Sequence, residues 1–325
     1  MRPPSADQLL THARAVDPER LREHLGALAV VRNQLLNPRA IRRVTRYITE
    51  TMERSGLAVQ TETFSWWLSG WRRHANLIAT LPASAPAESG MEERIIIGAH
   101  YDSVPFSPGA DDNASGVAVL LEVARICAAA APPSRPIDFI AFGMEEEGCI
   151  GSGRHAGRLA RRGVPVAAMV SLECVGYTDR RPKSQRVVPG LPIAVPDRGT
   201  FLGVIGNHPA KPAMAALERA VQLASPQLET VQLLVEGNGR TLPATRLSDH
   251  APFWDHGYPA LLLTDTAFLR NPHYHQSSDR PETLDMEFMT QVARSMVAFT
   301  LMLACAAGAA GPAGPRAGKP LAPTP

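Results

Sequence analysis

Arg94-Ile95-Ile96-Ile97-Gly98-Ala99-His100-Tyr101-Asp102 is an apolar run that ends in polar side chains. Residues 94–98 are almost continuously apolar, which is typical of a strand that is buried on both faces of a sheet. Residues 137–142 and 166–172 have the same character, and helix-forming stretches at residues 115–130 and 152–162 separate the three strands. This alternation predicts a mostly parallel sheet that is covered by helices on both sides.

The rest of the chain extends this pattern. Apolar residues at helical spacing predict helices at residues 19–31 and 38–54, and Ser55-Gly56 ends the second of them. Further strands are predicted at residues 75–80, 201–205, 231–234 and 260–264, and further helices at residues 213–223 and 286–305. The predicted fold class is therefore α/β, a three-layer α/β/α sandwich around a mostly parallel mixed sheet.

The chain is long enough for one large α/β domain or two modest ones. We expect a single domain over residues 1–305, with a helical N-terminal part over residues 1–56. Residues 178–200 are rich in Arg and Pro and too long for a simple turn, which indicates a functional loop. Residues 306–325 are almost entirely Ala, Gly and Pro, so we expect a disordered tail.

Composition excludes few classes but sets the expected environment. The 325 residues are 45% hydrophobic and 20% charged, as in ordinary globular proteins, and a net charge of +2 is too small to indicate a nucleic acid or an anionic membrane as partner. Residues 1–18 lack the pattern of a secretory signal, and the most apolar segment, residues 299–310, is too short to span a membrane. We therefore expect a cytoplasmic protein with free cysteine thiols, since its four cysteines form no CxxC pair.

Acidic and histidine side chains follow the ends of the predicted strands. The carboxyl ends of parallel strands form the edge of an α/β sheet where ligands bind. The segments that reach this edge contain His100 and Asp102, Gly109-Ala110-Asp111-Asp112-Asn113, Glu145-Glu146-Glu147, Glu173, and His273 and His275. Carboxylates gathered in one cleft repel each other, and Arg270 is the only basic residue in these segments. Divalent cations are the expected counter-charge, and imidazole with carboxylate is a donor set for zinc.

The order of these motifs is similar to that of one zinc peptidase family. His-x-Asp comes first, followed by Gly-Ala-Asp-Asp-Asn-Ala-Ser-Gly, by Glu-Glu-Glu after an apolar strand, by a strand that ends in an acid, and by a late His-Gln-Ser-Ser-Asp. This order resembles the family of the bacterial leucyl aminopeptidases, which is related to glutamate carboxypeptidase and, more distantly, to glutaminyl cyclase and the transferrin receptor. The resemblance covers about residues 75–300.

The resemblance implies a ligand set for two Zn²⁺ per chain. His100 and Glu173 would hold one zinc ion, Glu146 and His275 would hold the other, and Asp112 would bridge both. Many family members have aspartate where this chain has Glu173, and either acid serves as a ligand.

The resemblance also implies roles for the neighbours of the ligands. Asp102 would orient the ring of His100, a partner that metal-bound imidazoles generally need. Glu145 would be the general base, and Glu147 would face solvent or cap the next turn. A cis peptide bond is predicted between Asp112 and Asn113.

The implied function is that of an aminopeptidase. Two zinc ions about 3.5–4 Å apart would activate one water, and Glu145 would act first as base and then as acid. The expected partners are peptides with a free N-terminus, because an internal amide has no amine to place beside the metals. The sequence does not indicate an oligomeric state.

Three alternatives stay open. A carboxypeptidase or dipeptidase of the same family would need a clamp for the substrate carboxylate. The loop offers five basic residues for it: Arg180, Arg181, Lys183, Arg186 and Arg198. A glutaminyl cyclase-like enzyme would need a single zinc, and a non-catalytic interaction protein on the same scaffold would need none.

Two further segments have uncertain roles. Ser248-Asp249-His250 resembles a family motif near the substrate, but it would equally serve as a helix cap with a histidine in the core. A non-ligand role is favoured for His273. Four aromatic residues are candidates for the apolar walls of a substrate pocket: Phe253, Trp254, Phe268 and Tyr274.

Overall fold

The computed structural model describes residues 4–70, 72–85 and 92–305. It contains eight α-helices in these residues: α1 (Ala6–Arg14), α2 (Pro18–Leu28), α3 (Pro38–Arg54), α4 (Gly116–Ala129), α5 (Ile150–Arg161), α6 (Lys211–Ala224), α7 (His250–Asp255) and α8 (Met286–Cys305). The eight strands are β1 (Val59–Ser65), β2 (Arg73–Leu81), β3 (Arg94–His100), β4 (Ile137–Phe142), β5 (Val166–Glu173), β6 (Leu202–Asn207), β7 (Thr230–Val235) and β8 (Ala260–Thr264). The tail that we expect to be disordered lies outside the described residues.

All eight strands form one mixed sheet in the order β1-β2-β4-β3-β5-β8-β6-β7. The four central strands β4, β3, β5 and β8 are parallel to one another, and β6 and β7 are parallel to each other. Antiparallel pairing occurs between β1 and β2, β2 and β4, and β6 and β8. The carboxyl ends of β4, β3, β5 and β8 therefore meet at one edge of the sheet.

Helices cover both faces of this sheet and produce two hydrophobic cores. The larger core joins the sheet to α1, α2, α3, α4, α6 and α8, and the smaller joins it to α5 and α7. Strand β3 contributes to both, since Ile95 and Ile97 lie in the larger core and Ile96 in the smaller. The three-layer α/β/α prediction is confirmed, and the apolar run that predicted it is buried on both faces.

Helix α8 is a long core helix. By length and composition it could cross a membrane, with a mean hydropathy of 1.4 over its most apolar window, so the prediction that residues 299–310 are the most apolar segment and too short for this is wrong. However, 72% of that window is buried, and α8 packs against α1, α4 and α6. The helix begins where the Asp285 carboxylate accepts hydrogen bonds from the backbone N–H groups of Glu287 and Phe288.

The bounds of two elements were not predicted from the sequence, although the first lies in the helical N-terminal part expected over residues 1–56. Helix α1 begins with a capping box between Ser5 and Gln8 and buries only Leu9 and Ala13. Strand β1 lies at the edge of the sheet, where Gln60, Thr61 and Thr63 are exposed, so its sequence shows no long apolar run. Residues 178–200 contain no helix or strand, as predicted for a loop. The four cysteines are free, as predicted.

Candidate metal centre

The candidate site lies at the carboxyl edge of the central parallel strands. His100 is the last residue of β3, and Glu173 is the last residue of the neighbouring strand β5. Glu145 and Glu146 follow β4 after a two-residue turn, Gly143-Met144. His275 comes from the segment after β8. The sequence prediction that these side chains share one edge is therefore correct.

Five side chains form two groups that share one carboxylate. His100, Asp112 and Glu173 form the first group, and Asp112, Glu146 and His275 form the second. His100 Nε2 lies 3.1 Å from Asp112 Oδ1 and 3.3 Å from Glu173 Oε2. His275 Nε2 lies 3.0 Å from Asp112 Oδ2 and 3.5 Å from Glu146 Oε2. Each Asp112 oxygen thus faces a different group, which is the arrangement that a bridging ligand requires.

Backbone hydrogen bonds fix Asp112 in this bridging position. The peptide bond between Asp112 and Asn113 is cis, as predicted. The carboxylate of Asp279 accepts the N–H groups of Asp111 at 2.9 Å and Asp112 at 3.2 Å. On the other side, the Asn113 side chain donates to Leu172 O at 2.8 Å and ties the turn to β5. The last acid of the His-Gln-Ser-Ser-Asp motif therefore has a role that its sequence did not reveal.

Asp102 holds the turn after β4 more closely than it holds His100. Its carboxylate oxygens accept the backbone N–H groups of Glu145 and Glu146, both at 3.3 Å. His100 Nδ1 lies 3.7 Å from Asp102 Oδ1, which is longer than a hydrogen bond, and has no hydrogen-bond partner. The predicted orienting bond to His100 is thus not formed in this structure, because the carboxylate is directed at the two amides.

Glu145 lies beside the first group rather than within it. Its Oε2 is 3.8 Å from His100 Nε2, while Cys149 Sγ donates to its Oε1 at 3.4 Å. Its side chain is 12% exposed, so the carboxylate is almost withdrawn from water. This position leaves one oxygen free to accept a proton at the centre of the site.

The carboxylates of the site strongly perturb each other. Burial and the charge of Asp112 raise the pKa of Glu146 to about 11, and burial also raises the pKa of Glu145 well above its ordinary value. Burial lowers the pKa of His100, but nearby carboxylates outweigh this effect and raise it. Burial raises the pKa of Asp112, but hydrogen bonds from His100 and His275 outweigh this effect and lower it. Without a metal cation among them, the Glu145 and Glu146 carboxylates favour the protonated form.

Backbone conformation is unusual at three positions in the site. Met144 precedes Glu145 with φ of 63°, Cys174 follows Glu173 with φ of 50°, and His275 itself has φ of 60°. Non-glycine residues seldom adopt this left-handed region, and such residues cluster at functional sites. The fold therefore accepts local strain in order to direct these side chains.

The residues present fit a pair of zinc ions. Each group offers one imidazole nitrogen and two carboxylates, which are zinc donors. Glu146 Oε1 is buried and has no hydrogen-bond partner, which is costly unless a cation balances it. The same donors could also hold other divalent transition metals.

The Ser248-Asp249-His250 segment was predicted either to lie near the substrate or to cap a helix with a histidine in the core, and its residues have different roles. Ser248 Oγ donates to Glu173 Oε2 at 2.8 Å, so this serine supports a candidate ligand. His250 faces the core, where it hydrogen-bonds Thr245 O at 2.8 Å and packs edge-on against Trp254. Asp249 is fully buried, and its side chain does not cap α7.

Other predicted residues lie outside both groups. His273 hydrogen-bonds Ser278 through Nδ1 at 2.9 Å, in agreement with a non-ligand role. Glu147 is half-buried, and burial raises its pKa to about 7, so its side chain is less open to solvent than expected. Its nearest side-chain partner is Asn33 Nδ2, at 3.5 Å.

The basic residues of the 178–200 loop mostly turn toward the loop itself. Arg181 pairs with Asp179 at 2.6 Å, and Arg198 donates to Arg180 O at 2.7 Å. Arg186 donates to Phe268 O and lies at an apolar cavity described below. These contacts give no support to a carboxylate clamp at the metal ligands.

An apolar cavity adjoins the candidate metal centre. It has an empty volume of about 970 Å³, partly open to solvent, and reaches Glu173 at one end. Tyr274, which stacks on His275 with ring centroids 3.9 Å apart, also lines it. The walls come from β6, β7 and β8 and from the loops that face them, including Val188, Leu191, Ile193, Phe201, Ile205, Val231, Leu233, Leu262, Phe268 and Leu269.

Two of the four predicted aromatic walls are wrong. Phe268 and Tyr274 line the cavity, but Phe253 and Trp254 do not. Both of these lie on α7 and pack in the smaller core, which is on the same face of the sheet as the cavity, but they are not among the residues that line it. Their position follows from helix packing that the sequence alone does not show.

Two groups of candidate metal ligands lie around one shared carboxylate at the edge of the parallel strands, and a further glutamate lies beside them. This arrangement defines a candidate two-metal enzyme. A family model described as peptidase family M28 matches residues 76–300 of the chain. The uncharacterized protein YfbL of Escherichia coli is 33% identical over 315 residues, covering 90% of this chain and 91% of YfbL. The chain belongs to peptidase family M28.

Comparisons with other relatives and with solved structures agree with this assignment. A probable leucine aminopeptidase 1 of Trichophyton verrucosum is 27% identical over 72% of this chain and 59% of its own length. The aminopeptidase LapA of Legionella pneumophila has a similar structure, with a TM-score of 0.70 at 21% identity, covering 94% of this chain and 76% of LapA. BSAP, a zinc aminopeptidase from Bacillus subtilis, has a TM-score of 0.55 at 25% identity, covering 72% of this chain and 51% of BSAP.

The fold is also shared with an enzyme of different chemistry. A glutaminyl cyclase from Macrostomum lignano has a TM-score of 0.70 at 16% identity, covering 93% of this chain and 94% of the cyclase. At this identity the similarity concerns the fold alone, so the chemistry has to be argued from the site.

Proposed function

We propose that this protein is a zinc-dependent aminopeptidase that uses two zinc ions and hydrolyses the first peptide bond of peptides with a free N-terminus. The observation that carries the proposal is the position of Asp112, whose two oxygens lie 3.1 Å and 3.0 Å from histidines of different groups. Aminopeptidases among the relatives and a zinc aminopeptidase among the similar structures support the reaction and the metal.

His100, Glu173, Asp112, Glu146 and His275 would hold the two ions. When bound, zinc supplies Lewis-acid polarisation of the scissile carbonyl and makes water more acidic. The protein's part is to hold these donors rigidly and to keep bulk water away, since His100 is fully buried and Asp112 is 4% exposed.

Glu145 would move the proton of the reaction. Its Oε2 would accept a proton from the attacking water and then pass it to the nitrogen of the leaving group, which lets one carboxylate act as base and as acid. The Cys149 thiol holds Oε1, and the amide N–H of Glu145 is held by Asp102, so this carboxylate has a fixed direction.

The acids of the site also explain the preference for a free N-terminus. A substrate ammonium placed near Glu146 and Asp112 would offset part of their mutual repulsion, which an internal amide cannot do. The adjoining apolar cavity would then receive the first side chain of the peptide. A cytoplasmic location stays a prediction.

Two measurements on the purified protein test this proposal. Metal analysis after zinc loading should give two ions per chain, and a leucyl peptide should be cleaved when its C-terminus is amidated but not when its N-terminus is acetylated. The reverse pattern of blocking would identify a carboxypeptidase. One zinc per chain, together with cyclisation of N-terminal glutamine, would identify glutaminyl cyclase chemistry, and a zinc-loaded but inert protein would indicate an interaction protein.

A further inference from the structure

Arg32 is a fully buried arginine in the segment between α2 and α3. It lies outside the residues that the M28 family model matches. Its guanidinium donates to four backbone carbonyls: Tyr101 O through Nε at 2.8 Å, Gly109 O through Nη2 at 2.9 Å, and Pro108 O and Val30 O through Nη1. A planar fork of donors can reach several acceptors at once in this way, whereas the single ammonium of lysine cannot.

These contacts join the two ends of one loop, residues 101–109. At the first end, Tyr101 O immediately precedes Asp102, which holds the amides of Glu145 and Glu146. At the second end, Gly109 O precedes the turn that carries Asp112. Arg32 therefore lies between the two backbone segments that position the acids of the metal centre.

The backbone around Arg32 reinforces the same loop. The N–H of Arg32 donates to Ser103 Oγ at 3.1 Å, and Asn33 Nδ2 donates to Ser103 O at 3.1 Å. Gly109 has φ of 60°, and a Cβ atom there would lie 3.1 Å from Arg32 Nη1 and would collide with Asp112 O. The guanidinium, the glycine and the turn of Asp112 are thus packed without spare room.

The charge of Arg32 has no direct acidic partner. No carboxylate forms an ion pair or hydrogen bond with it in residues 4–70, 72–85 and 92–305. Burial lowers its pKa, and the nearby charges of Asp112, Asp279 and Asp102 oppose that change. Because arginine stays protonated in proteins, a buried positive charge without a paired carboxylate is balanced here by the acids of the metal centre.

We propose that Arg32 is a positioning residue of the metal centre, which clamps both ends of the 101–109 loop and so fixes Asp102 and Asp112 in the geometry that binds the metal ions. The inference rests on the proposed metal centre, and it makes the helical N-terminal part of the chain necessary for that centre. It concerns a residue that contacts neither substrate nor metal.

The test compares zinc affinity in Arg32→Met and Arg32→Lys with the wild-type chain, by competition with a chromogenic chelator. Replacing residues that support metal ligands typically weakens metal binding about 10- to 100-fold, and we expect a loss in this range for Arg32→Met. Arg32→Lys keeps the charge but loses the fork, so it should also lose at least about tenfold. If lysine restores wild-type affinity, charge rather than the clamp is responsible, and the proposal is overturned.

A matched control separates positioning from general loss of stability. Arg94 also uses a fork, donating to Asp138 with Nη2 at 2.8 Å, but it lies at the opposite end of β3. Arg94→Lys should lower the melting temperature while leaving zinc affinity within about twofold of wild type. Equal zinc affinity in the Arg32 and Arg94 variants would show that Arg32 has only a structural role.

Two further provisions keep the outcome decisive. If neither Arg32 variant folds, Ser103→Ala removes the hydroxyl that accepts the Arg32 backbone N–H and donates to Ser107 O within the same loop, and unchanged zinc affinity in that variant would count against this loop as the support of the ligands. Wild-type zinc stoichiometry is measured first. A stoichiometry below two would refute the two-zinc proposal, while the effect of Arg32 would still be judged on the ions that do bind.

Discussion

The apolar cavity beside Glu173 and Tyr274 should make the enzyme prefer large apolar N-terminal residues. A leucyl side chain has three more carbon groups than an alanyl side chain, and burying each contributes about 0.8 kcal/mol. Their complete burial is worth about 2.4 kcal/mol, which corresponds to about a 60-fold higher kcat/KM for leucyl than for alanyl substrates. The cavity is lined by several large apolar side chains and is partly open to solvent, so phenylalanyl substrates should also be accepted.

The perturbation that tests this expectation is Ala244→Phe. Ala244 lines the cavity and is half-buried on a short turn, so a larger side chain can enter the cavity without disturbing the sheet. The added ring would occupy the space of the substrate side chain. We expect the leucyl-to-alanyl ratio to fall from about 60 to below about 10, mainly through loss of leucyl activity.

The assay is kcat/KM for glycyl, alanyl, leucyl, phenylalanyl, glutamyl and lysyl p-nitroanilides with the zinc-loaded protein. Ala244→Ser serves as the control, because it changes the residue at nearly constant size. A wild-type protein that cleaves alanyl and leucyl substrates within twofold of each other, or that prefers the glutamyl substrate, would refute the assignment of this cavity to the first side chain. A ratio that Ala244→Phe leaves unchanged would refute it as well.

Three other predictions concern the acids of the site. Glu145→Gln should retain both metals in metal analysis but lower kcat by about 10²- to 10⁴-fold, because the amide cannot accept a proton; near wild-type turnover would exclude Glu145 as the base. Asp279→Asn should lose one of the two amide hydrogen bonds that hold the turn of Asp112, each worth about 1.5–3 kcal/mol. It should therefore weaken zinc binding in a chelator titration, and unchanged zinc affinity would refute this role of Asp279. In the metal-free protein, burial raises the pKa of Glu147 and Asp279 to about 7, so the folded state binds more protons than the unfolded state. The melting temperature should therefore fall as pH rises from about 5 to 8. A melting temperature that rises with pH in the chelated protein would contradict this sign.

The sequence predicted the sheet because its central strands are buried on both faces. Residues 137–142 and 260–264 are almost continuously apolar, and their bounds were predicted correctly. Strand β1 was missed because an edge strand with one solvated face contains exposed polar residues such as Thr61 and Thr63. The segments that carry the five candidate ligands could be found because each follows a strand of the parallel sheet.

The supporting residues could not be found in this way. Arg32 has no periodic signal and is far in sequence from the loop that it clamps, so only the folded chain shows its role. Asp102 has hydrogen bonds to the turn after β4 that depend on the exact direction of that turn. The packing of Phe253 and Trp254 in the smaller core rather than in the cavity wall depends on how α7 docks, which composition does not determine.

The two kinds of ligand in this site need different support. His100 and Glu173 end rigid strands, whereas Asp112 and His275 lie on turns outside regular elements, and precise sites are harder to maintain on such segments. The turn of Asp112 is held by the Asp279 carboxylate from one side and by the Arg32 guanidinium through Gly109 from the other. Because these supports act on a shared ligand, loss of either one should weaken both metal groups together rather than empty only one of them. A chelator titration that showed one ion lost and the other held at wild-type affinity would therefore locate the defect at a ligand that is not shared, and would argue against Asp112 as the bridge.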